Sequence, residues 1–575
     1  NERNKEQQAR FILANMLDWY RREKKSFWWE YFRIMELEPD ELLDEKTALT
    51  YLQFTGVREN DKKSVIDNYT FINQENEIRS GNKVKLGNEK TLGEVIEIDE
   101  INNIVKLRKG PSIKDNHPLT IIKNENIDTK NKEETLILFA EWIVANGFEN
   151  SLNDYKVTRD LILNNLPNLL QPLNENTDLV AKSIDWASKL NNSYLPIQGP
   201  PGSGKSFTGS HMVLELIKRG KKIGITALSH KVIINLLDKV QKLANSQGFD
   251  LPIIYKGSNN DDGDYGWEMA KNIDTIVSNI SKYQVIAGTS FMWCDEKLRN
   301  CVDYLIIDEA GQFALIDTLV VSQASKNIIF LGDHQQLKQP MKGVHPDGTD
   351  VSALEHLLEG KKTISEKKGV FLEKTWRMHP TICSFDSEMF YESRLQSVDG
   401  LEKQRVEGNT EFQGSGLFYK AVIHEGNTNF SLEEIDVIEK IAIELTKGDV
   451  FWFDDKNDKK VLQDSNIKII TPYNSSVFEL QKRIPNIEIG TVDKFQGQEA
   501  AVIIYSLASS SPEDAPRGMD FLYSPNRFNV AVSRAKAIFI MVGSPKIFEP
   551  DCKSPEQIKL ANPFCRFMEL ATSTS

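Results

Sequence analysis

Six apolar runs constrain this chain of 575 residues more than any other feature: Ile223 to Ala227, Tyr304 to Ile307, Ile328 to Leu331, Ile467 to Ile470, Ala501 to Tyr505 and Ile538 to Val542. Such strands lack a polar face, so both of their sides must be covered, and the segments between them carry helical patterns. That alternation predicts parallel sheets wrapped in helices. After about residue 178 the chain reads as two successive α/β domains with a break near 345 to 365. The polar stretch 246 to 282, with Asn259, Asn260, Asp261, Asp262 and Gly263, reads as a surface insertion in the first of them.

The N-terminal part has a different texture. Residues 1 to about 60, with Gly56 and Pro39 as their only glycine and proline, predict two or three helices. Between Gly81 and Gly110, short runs around Val84, Val95 and Val105 separated by Gly, Asn and Asp predict a small β-barrel. Helical periodicity returns over about 131 to 146 and near 156 to 170. The expected division is a helical stalk over 1–64, an accessory barrel over 65–125, stalk helices over 126–172 and the two α/β domains over 173–350 and 351–575. No role is legible for 551 to 575.

Composition excludes several classes. No run of about 18 apolar residues occurs and the N-terminus lacks a secretory pattern, which argues against membrane insertion and export. The cysteines Cys294, Cys301, Cys383, Cys552 and Cys565 are widely spaced, with neither a disulfide frame nor a metal-binding pair among them, which points to a reducing, cytoplasmic location. A net charge of −13 argues against holding nucleic acid by bulk electrostatics. The run Arg21, Arg22, Glu23, Lys24, Lys25 ahead of Phe27, Trp28 and Trp29 mixes phosphate-contacting and base-stacking types, although an amphipathic helix packing its aromatics inward is the commoner origin of such a run. The chain starts at Asn1 without a methionine, which suggests a piece of a longer protein.

The run Gly199, Pro200, Pro201, Gly202, Ser203, Gly204, Lys205, Ser206 fits G-x-x-x-x-G-K-[ST] between a strand-like Leu195 to Gln198 and a helical stretch through Leu216. Glycines let backbone N–H groups turn inward around phosphate oxygens. Lys205 adds a point charge toward the β/γ-phosphates and Ser206 offers a hydroxyl to Mg²⁺. The pattern implies ATP or a related nucleotide bound with Mg²⁺. About a hundred residues on, an apolar run ends in Asp308 and Glu309. Alone, such a pair is usually a solvated turn; downstream of a phosphate loop it reads as Asp308 holding Mg²⁺ through its water shell and Glu309 orienting or deprotonating the attacking water.

Six ordered motifs then resemble the superfamily 1B helicases, the branch of the nonsense-mediated-decay helicase, senataxin and bacterial fusions of a RecB-type nuclease with a helicase. They are Gly199 to Ser206, Asp308 to Gly311, Gly332 to Leu337, Trp376 to Pro380, Gly490 to Glu499 and Asn529 to Lys536, within a resemblance covering about 175 to 545. It implies two tandem RecA-like domains with the helical stalk and small barrel as accessories. It also implies Arg377 and Arg534 as arginine fingers, Gln336 as a γ-phosphate sensor, Glu499 on the ribose and Trp376 stacked on the base where relatives carry tyrosine. The base-reading glutamine expected before the phosphate loop falls on Thr177, which leaves the choice of base open.

In relatives, hydroxyl groups at strand ends touch one nucleic-acid strand, and the matching positions are Ser229, Thr289, Thr471 and Thr491. Ordinary cap and turn roles fit these residues equally well. The resemblance implies 5′-to-3′ movement along single-stranded nucleic acid, DNA favoured and RNA open, and a nuclease domain outside these residues as a partner. An ATP-gated clamp that does not unwind keeps the same motifs.

Overall fold

Strands with a two-residue burial period build one sheet of this protein, and strands buried on both faces build two others. The structure, a computed structural model, describes residues 3–39, 41–72, 74, 76–86, 92–99, 102–124, 128–168, 178–257, 263, 265–339, 341–516 and 518–574. It divides into one unit made of 1–147, 257–264 and 340–350, and a second made of the remainder.

In the first unit the helices Lys5–Met16 and Trp19–Glu36 precede a seven-stranded antiparallel sheet. Ser64–Thr70 and Ile104–Lys109 alternate buried and half-buried residues, as strands with one core face must. Tyr69, Val84, Val95, Val105 and Leu107 fill that core. The sheet starts earlier than the expected barrel. Gln53–Asp61, inside the stretch read as helical stalk, is a strand, and its neighbour in the chain, Ala48–Leu49, lies at the other end of the strand order. Its residues are almost all exposed and its register shifts between Phe54 and Arg58, so no alternating pattern betrays it.

Two large parallel sheets dominate the second unit. The eight-stranded one runs Glu268–Met269, Ile253–Lys256, Val285–Gly288, Ile223–Thr226, Val302–Asp308, Ser325–Gly332, Tyr194–Gln198, Val370–Phe371, all parallel. Two expectations change here. Ile253–Lys256 lies inside the supposed insertion yet is an integral strand, because Ile253, Ile254 and Tyr255 are all buried beneath the polar flanks that disguised them. Val370–Phe371 pairs with Tyr194–Gln198, so the first sheet extends past the expected break near 345 to 365. The departure Thr177 lies outside the described residues.

The second parallel sheet has six strands, Glu488–Thr491, Ile467–Thr471, Ala500–Ser506, Ala535–Gly543, Gly416–Ala421 and Thr572–Thr574 in spatial order. The C-terminal stretch is part of this fold. Its helix Pro555–Leu570 packs Phe564 and Phe567 against Phe528, with ring centroids at 4.4 and 5.9 Å, and its last strand joins the sheet edge. Among the described residues no helix is long and apolar enough to cross a membrane.

Candidate active site

The buried strand Tyr194–Gln198 delivers the chain to Gly199, and the helix Lys205–Lys218 starts at the lysine itself. Gly202 and Gly204 have φ of 73° and 79°, a region that side chains with a Cβ rarely occupy. A Cβ on Gly202 would also stand 2.5 Å from Thr375 Oγ1 and 2.7 Å from Arg377 Cβ. Gly202→Ala therefore combines backbone strain with a clash, and is expected to weaken ATP binding by at least ~10-fold in a titration with a fluorescent ATP analogue. The Ser203 hydroxyl is buried without a hydrogen-bond partner among the described residues, as suits a group that awaits a phosphate oxygen.

Asp308 ends the strand Val302–Asp308, and Glu309 follows with a left-handed φ of 51°. The Glu309 N–H donates to Asp308 Oδ1 at 2.9 Å. Lys205 Nζ donates to Glu309 Oε2, also at 2.9 Å, so the two charges neutralise each other. Burial, and then the Glu309 charge, push the Asp308 carboxyl up to about 6. Burial works against the charge on Lys205, but Glu309, Asp308 and Asp333 outweigh it and hold the ammonium above its ordinary value. A cation held beside the Ser206 hydroxyl and the Asp308 carboxylate would relieve the carboxylate crowding, and this hard-oxygen donor pair fits Mg²⁺ arriving with a nucleotide.

Opposite stand groups carried with the second sheet. A cleft of about 910 Å³ is lined by the phosphate loop, Asp308, Glu309, Gln336, Arg377 and Arg534 together. Arg377 Nε donates to Glu499 Oε2 at 2.7 Å and its guanidinium donates to the Ser533 carbonyl at 3.0 Å. Arg534 is buried, with 2% of its surface exposed, and donates to the carbonyls of Val530 and Gln498 and to Gln336 Oε1 at 3.0, 3.2 and 3.4 Å. Burial, with Arg377 nearby, pulls its pKa down to about 9, which leaves it cationic at neutral pH. Gln336 Nε2 in turn donates to Asp333 Oδ2 at 3.2 Å, and that oxygen also accepts from the Tyr391 hydroxyl at 2.7 Å. Asn526 and Asn529 donate across the same seam, Asn526 to the carbonyl of His334 at 2.9 Å and Asn529 to that of Gln335 at 3.1 Å.

Two AAA domain models match the chain, over residues 255–341 and 349–546. Among curated relatives it is 24% identical over 420 residues to DNA polymerase alpha-associated DNA helicase A of Schizosaccharomyces pombe, which is 60% of this chain and 60% of that protein. It is 26% identical to the Regulator of nonsense transcripts 1 homolog of Drosophila melanogaster, over 61% of this chain and 33% of the relative. It is also 27% identical to the DNA replication ATP-dependent helicase/nuclease dna2 of S. pombe, over 66% of this chain and 28% of the relative. These matches indicate a superfamily 1 helicase. The chain spans less than two thirds of the length of these relatives. A solved arterivirus helicase in complex with DNA overlaps 91% of this chain and 82% of its own at 12% identity, with a TM-score of 0.38.

The helicase motifs do not all land in the cleft. Trp376 donates its backbone N–H to the Gly202 carbonyl at 2.9 Å and leaves its indole 69% exposed beside the loop. Glu499 sits one step behind Arg377, paired also with Lys536 at 2.7 Å; burial works to raise its pKa, but Arg377 and Lys536 hold it low. Ser229 lines the nucleotide cleft and accepts from the Val232 N–H at 3.4 Å as the cap of the helix His230–Ser246. Thr289 precedes the short helix Ser290–Trp293, and Thr491 ends the strand Glu488–Thr491, both half-buried. Thr471 departs from expectation: it is fully buried, so its hydroxyl cannot touch a strand as the structure stands, and the exposed residue of that turn is Asn474.

Sequence reasoning missed Phe207. It follows Ser206, lines the cleft at 57% exposure, and lies with its ring 4.0 Å from that of His211. A phenylalanine opening an amphipathic helix reads as core, and only the exposure separates the two cases. Tyr391 and Asn526 were missed as well, and Asn529 was read only as part of a motif, because nothing local marks a side chain that bonds to a loop 58 or almost two hundred residues away.

Proposed function

We propose that this chain hydrolyses ATP between its two parallel sheets and uses the cycle to move 5′-to-3′ along single-stranded nucleic acid, DNA rather than RNA. One observation carries the reading. Lys205, Glu309 and Gln336, which follow strands of the first sheet, line one cleft with Arg534, which opens onto a strand of the second, and with Arg377, bonded to the Ser533 carbonyl beside it. A phosphoryl-transfer site with little covalent chemistry to perform works by placing charge around the transferring group, and charge from a second domain ties turnover to domain closure.

In this reading the phosphate loop N–H groups and Lys205 bind the triphosphate, after Lys205 leaves Glu309. Ser206 and Asp308 hold Mg²⁺, which when bound neutralises phosphate charge. Glu309, released from the lysine, orients the attacking water and takes its proton. Arg377 and Arg534 stabilise charge on the γ-phosphate, while Gln336, bonded to both Arg534 and Asp333, reports its departure across the seam. Trp376 and Phe207, exposed aromatics at two sides of the loop, offer flat faces to a base. Phe207→Ala is expected to raise KM for ATP about tenfold with kcat nearly unchanged, since stacking on the base acts before and during the reaction alike.

Thr289, Thr491 and Ser229 stand at the carboxyl ends of strands, where open α/β sheets bind ligands, and suit sequence-indifferent contacts to a nucleic-acid backbone. DNA is favoured because two of the relatives are named for DNA helicases; the relative named as a regulator of nonsense transcripts keeps RNA as the second reading. A nuclease partner fits the relative named helicase/nuclease. The cysteine pattern favours a cytoplasmic setting. The test is ATP-dependent separation of duplexes with a 5′ or a 3′ tail, made of DNA or of RNA. Displacement of the 5′-tailed DNA is expected first; displacement only from 3′ tails reverses the direction, and none at all favours a clamp.

A further inference from the structure

The helix Trp19–Glu36 buries one face and leaves another unpartnered. Trp19, Tyr20, Phe27, Tyr31 and Ile34 are buried, as the amphipathic reading of this run expects. Arg21, Lys25, Trp29 and Arg33 stand four residues apart on an exposed stripe, so neighbouring side chains rise by about 6 Å along the axis. Trp29 is 68% exposed, and the Lys25 ammonium lies 5.3 Å from its ring centroid.

A second wall makes this stripe a groove. Glu23 accepts the backbone N–H groups of Lys342 and Gly343 at 3.0 and 2.9 Å and bonds His345 Nε2 at 2.6 Å, and the His345 ring stacks on Trp19 at 4.7 Å. The segment so clamped presents Val344, 92% exposed, along the rim of a groove of about 840 Å³. Four cations, the three of the stripe and Arg22, line it against two carboxylates, Asp18 and Glu30. The groove is thus locally positive, by two charges, on a chain whose net charge is −13.

We propose that this groove holds single-stranded nucleic acid, with Trp29 stacked on a base and Arg21, Lys25 and Arg33 against phosphates on either side of it. The occupant must be a polyanion with flat faces. Along the axis Arg21 and Lys25 stand about 6 Å apart and Lys25 and Arg33 about 12 Å, which suits one and two phosphate steps of an unstacked strand, and a duplex has no free base face to offer an indole. Every base has a π-face, so the contact is indifferent to sequence. Arg21 and Arg33 now pair with Asp18 and with Glu30 and Glu45 at the surface, where such pairs exchange readily for phosphate. The inference rests on the reading of the chain as a nucleic-acid motor, and adds a grip outside the motor sheets.

The test is fluorescence anisotropy of labelled oligo(dT), and of oligo(U), with the full chain, without nucleotide, over a salt series. Trp29→Ala is expected to raise Kd about tenfold and Trp29→Phe to recover most of it. Lys25→Ala is expected to flatten the dependence of log Kd on log salt by about 0.7. ATP hydrolysis without nucleic acid stays at the wild-type rate in all three. A wild-type chain that binds oligo(dT) with variants that bind it equally well overturns the groove alone and leaves it to an acidic protein partner; a wild-type chain that binds neither oligo(dT) nor oligo(U) overturns the motor reading with it.

Discussion

Glu309→Gln is expected to bind ATP at least as tightly as the wild-type chain while turning it over at least ~10²-fold more slowly. The two halves of that result have separate causes. An amide can accept a hydrogen bond from water but cannot take its proton, so chemistry stops. Binding survives because the phosphate loop is untouched, and it gains because Lys205 no longer has to leave an ion pair, 2.9 Å long, to reach the phosphates. The left-handed φ of 51° at Glu309 is tolerated by glutamine as well as by glutamate, so the backbone is left alone. Equilibrium binding of a fluorescent ATP analogue and single-turnover hydrolysis separate the two effects. Wild-type turnover by the variant would assign the water to another residue.

Arg534→Ala is expected to lower kcat by about 10³-fold or more with KM changed little, the signature of an interaction made in the transition state rather than on binding. The position makes a sharp test because the guanidinium is already buried and aimed at Gln336, so little reorganisation separates the resting arrangement from the closed one. It also carries a structural cost, since the Gln498 carbonyl loses the Arg534 donor and the Val530 carbonyl is left to the Ser533 hydroxyl at 3.3 Å. Arg534→Lys, which keeps the charge but not the planar fork, controls for that: a kcat loss at an unchanged melting temperature isolates the chemistry. Lys205→Ala should fail earlier in the cycle, at nucleotide binding.

The phosphate loop was legible because its chemistry is local: a strand, a turn that needs glycine and a helix N-terminus lie within about twenty residues, and Asp308-Glu309 became legible once that loop stood upstream of it. The core strands were legible because burial on both faces leaves unbroken apolar runs. Where neither face is buried the signal fades, which is why Gln53–Asp61 read as helix, and a short buried strand between polar flanks is masked by them, which is why Ile253–Lys256 read as an insertion. The seam between the sheets was legible only through the resemblance. Arg377, Arg534 and Gln336 lie in separate motifs, and their convergence is a property of how two sheets meet, as are the contacts of Tyr391, Asn526 and Asn529. Thr471 shows the limit of that route: a motif position transfers by sequence, but whether its hydroxyl faces solvent does not.

The most direct measurement is the rate of ATP hydrolysis by the full chain with and without saturating oligo(dT). If the two sheets form one ATPase site geared to a strand, hydrolysis rises on adding the oligonucleotide and the rise disappears in Arg534→Lys. A chain that binds ATP tightly yet hydrolyses it in neither condition would contradict the account.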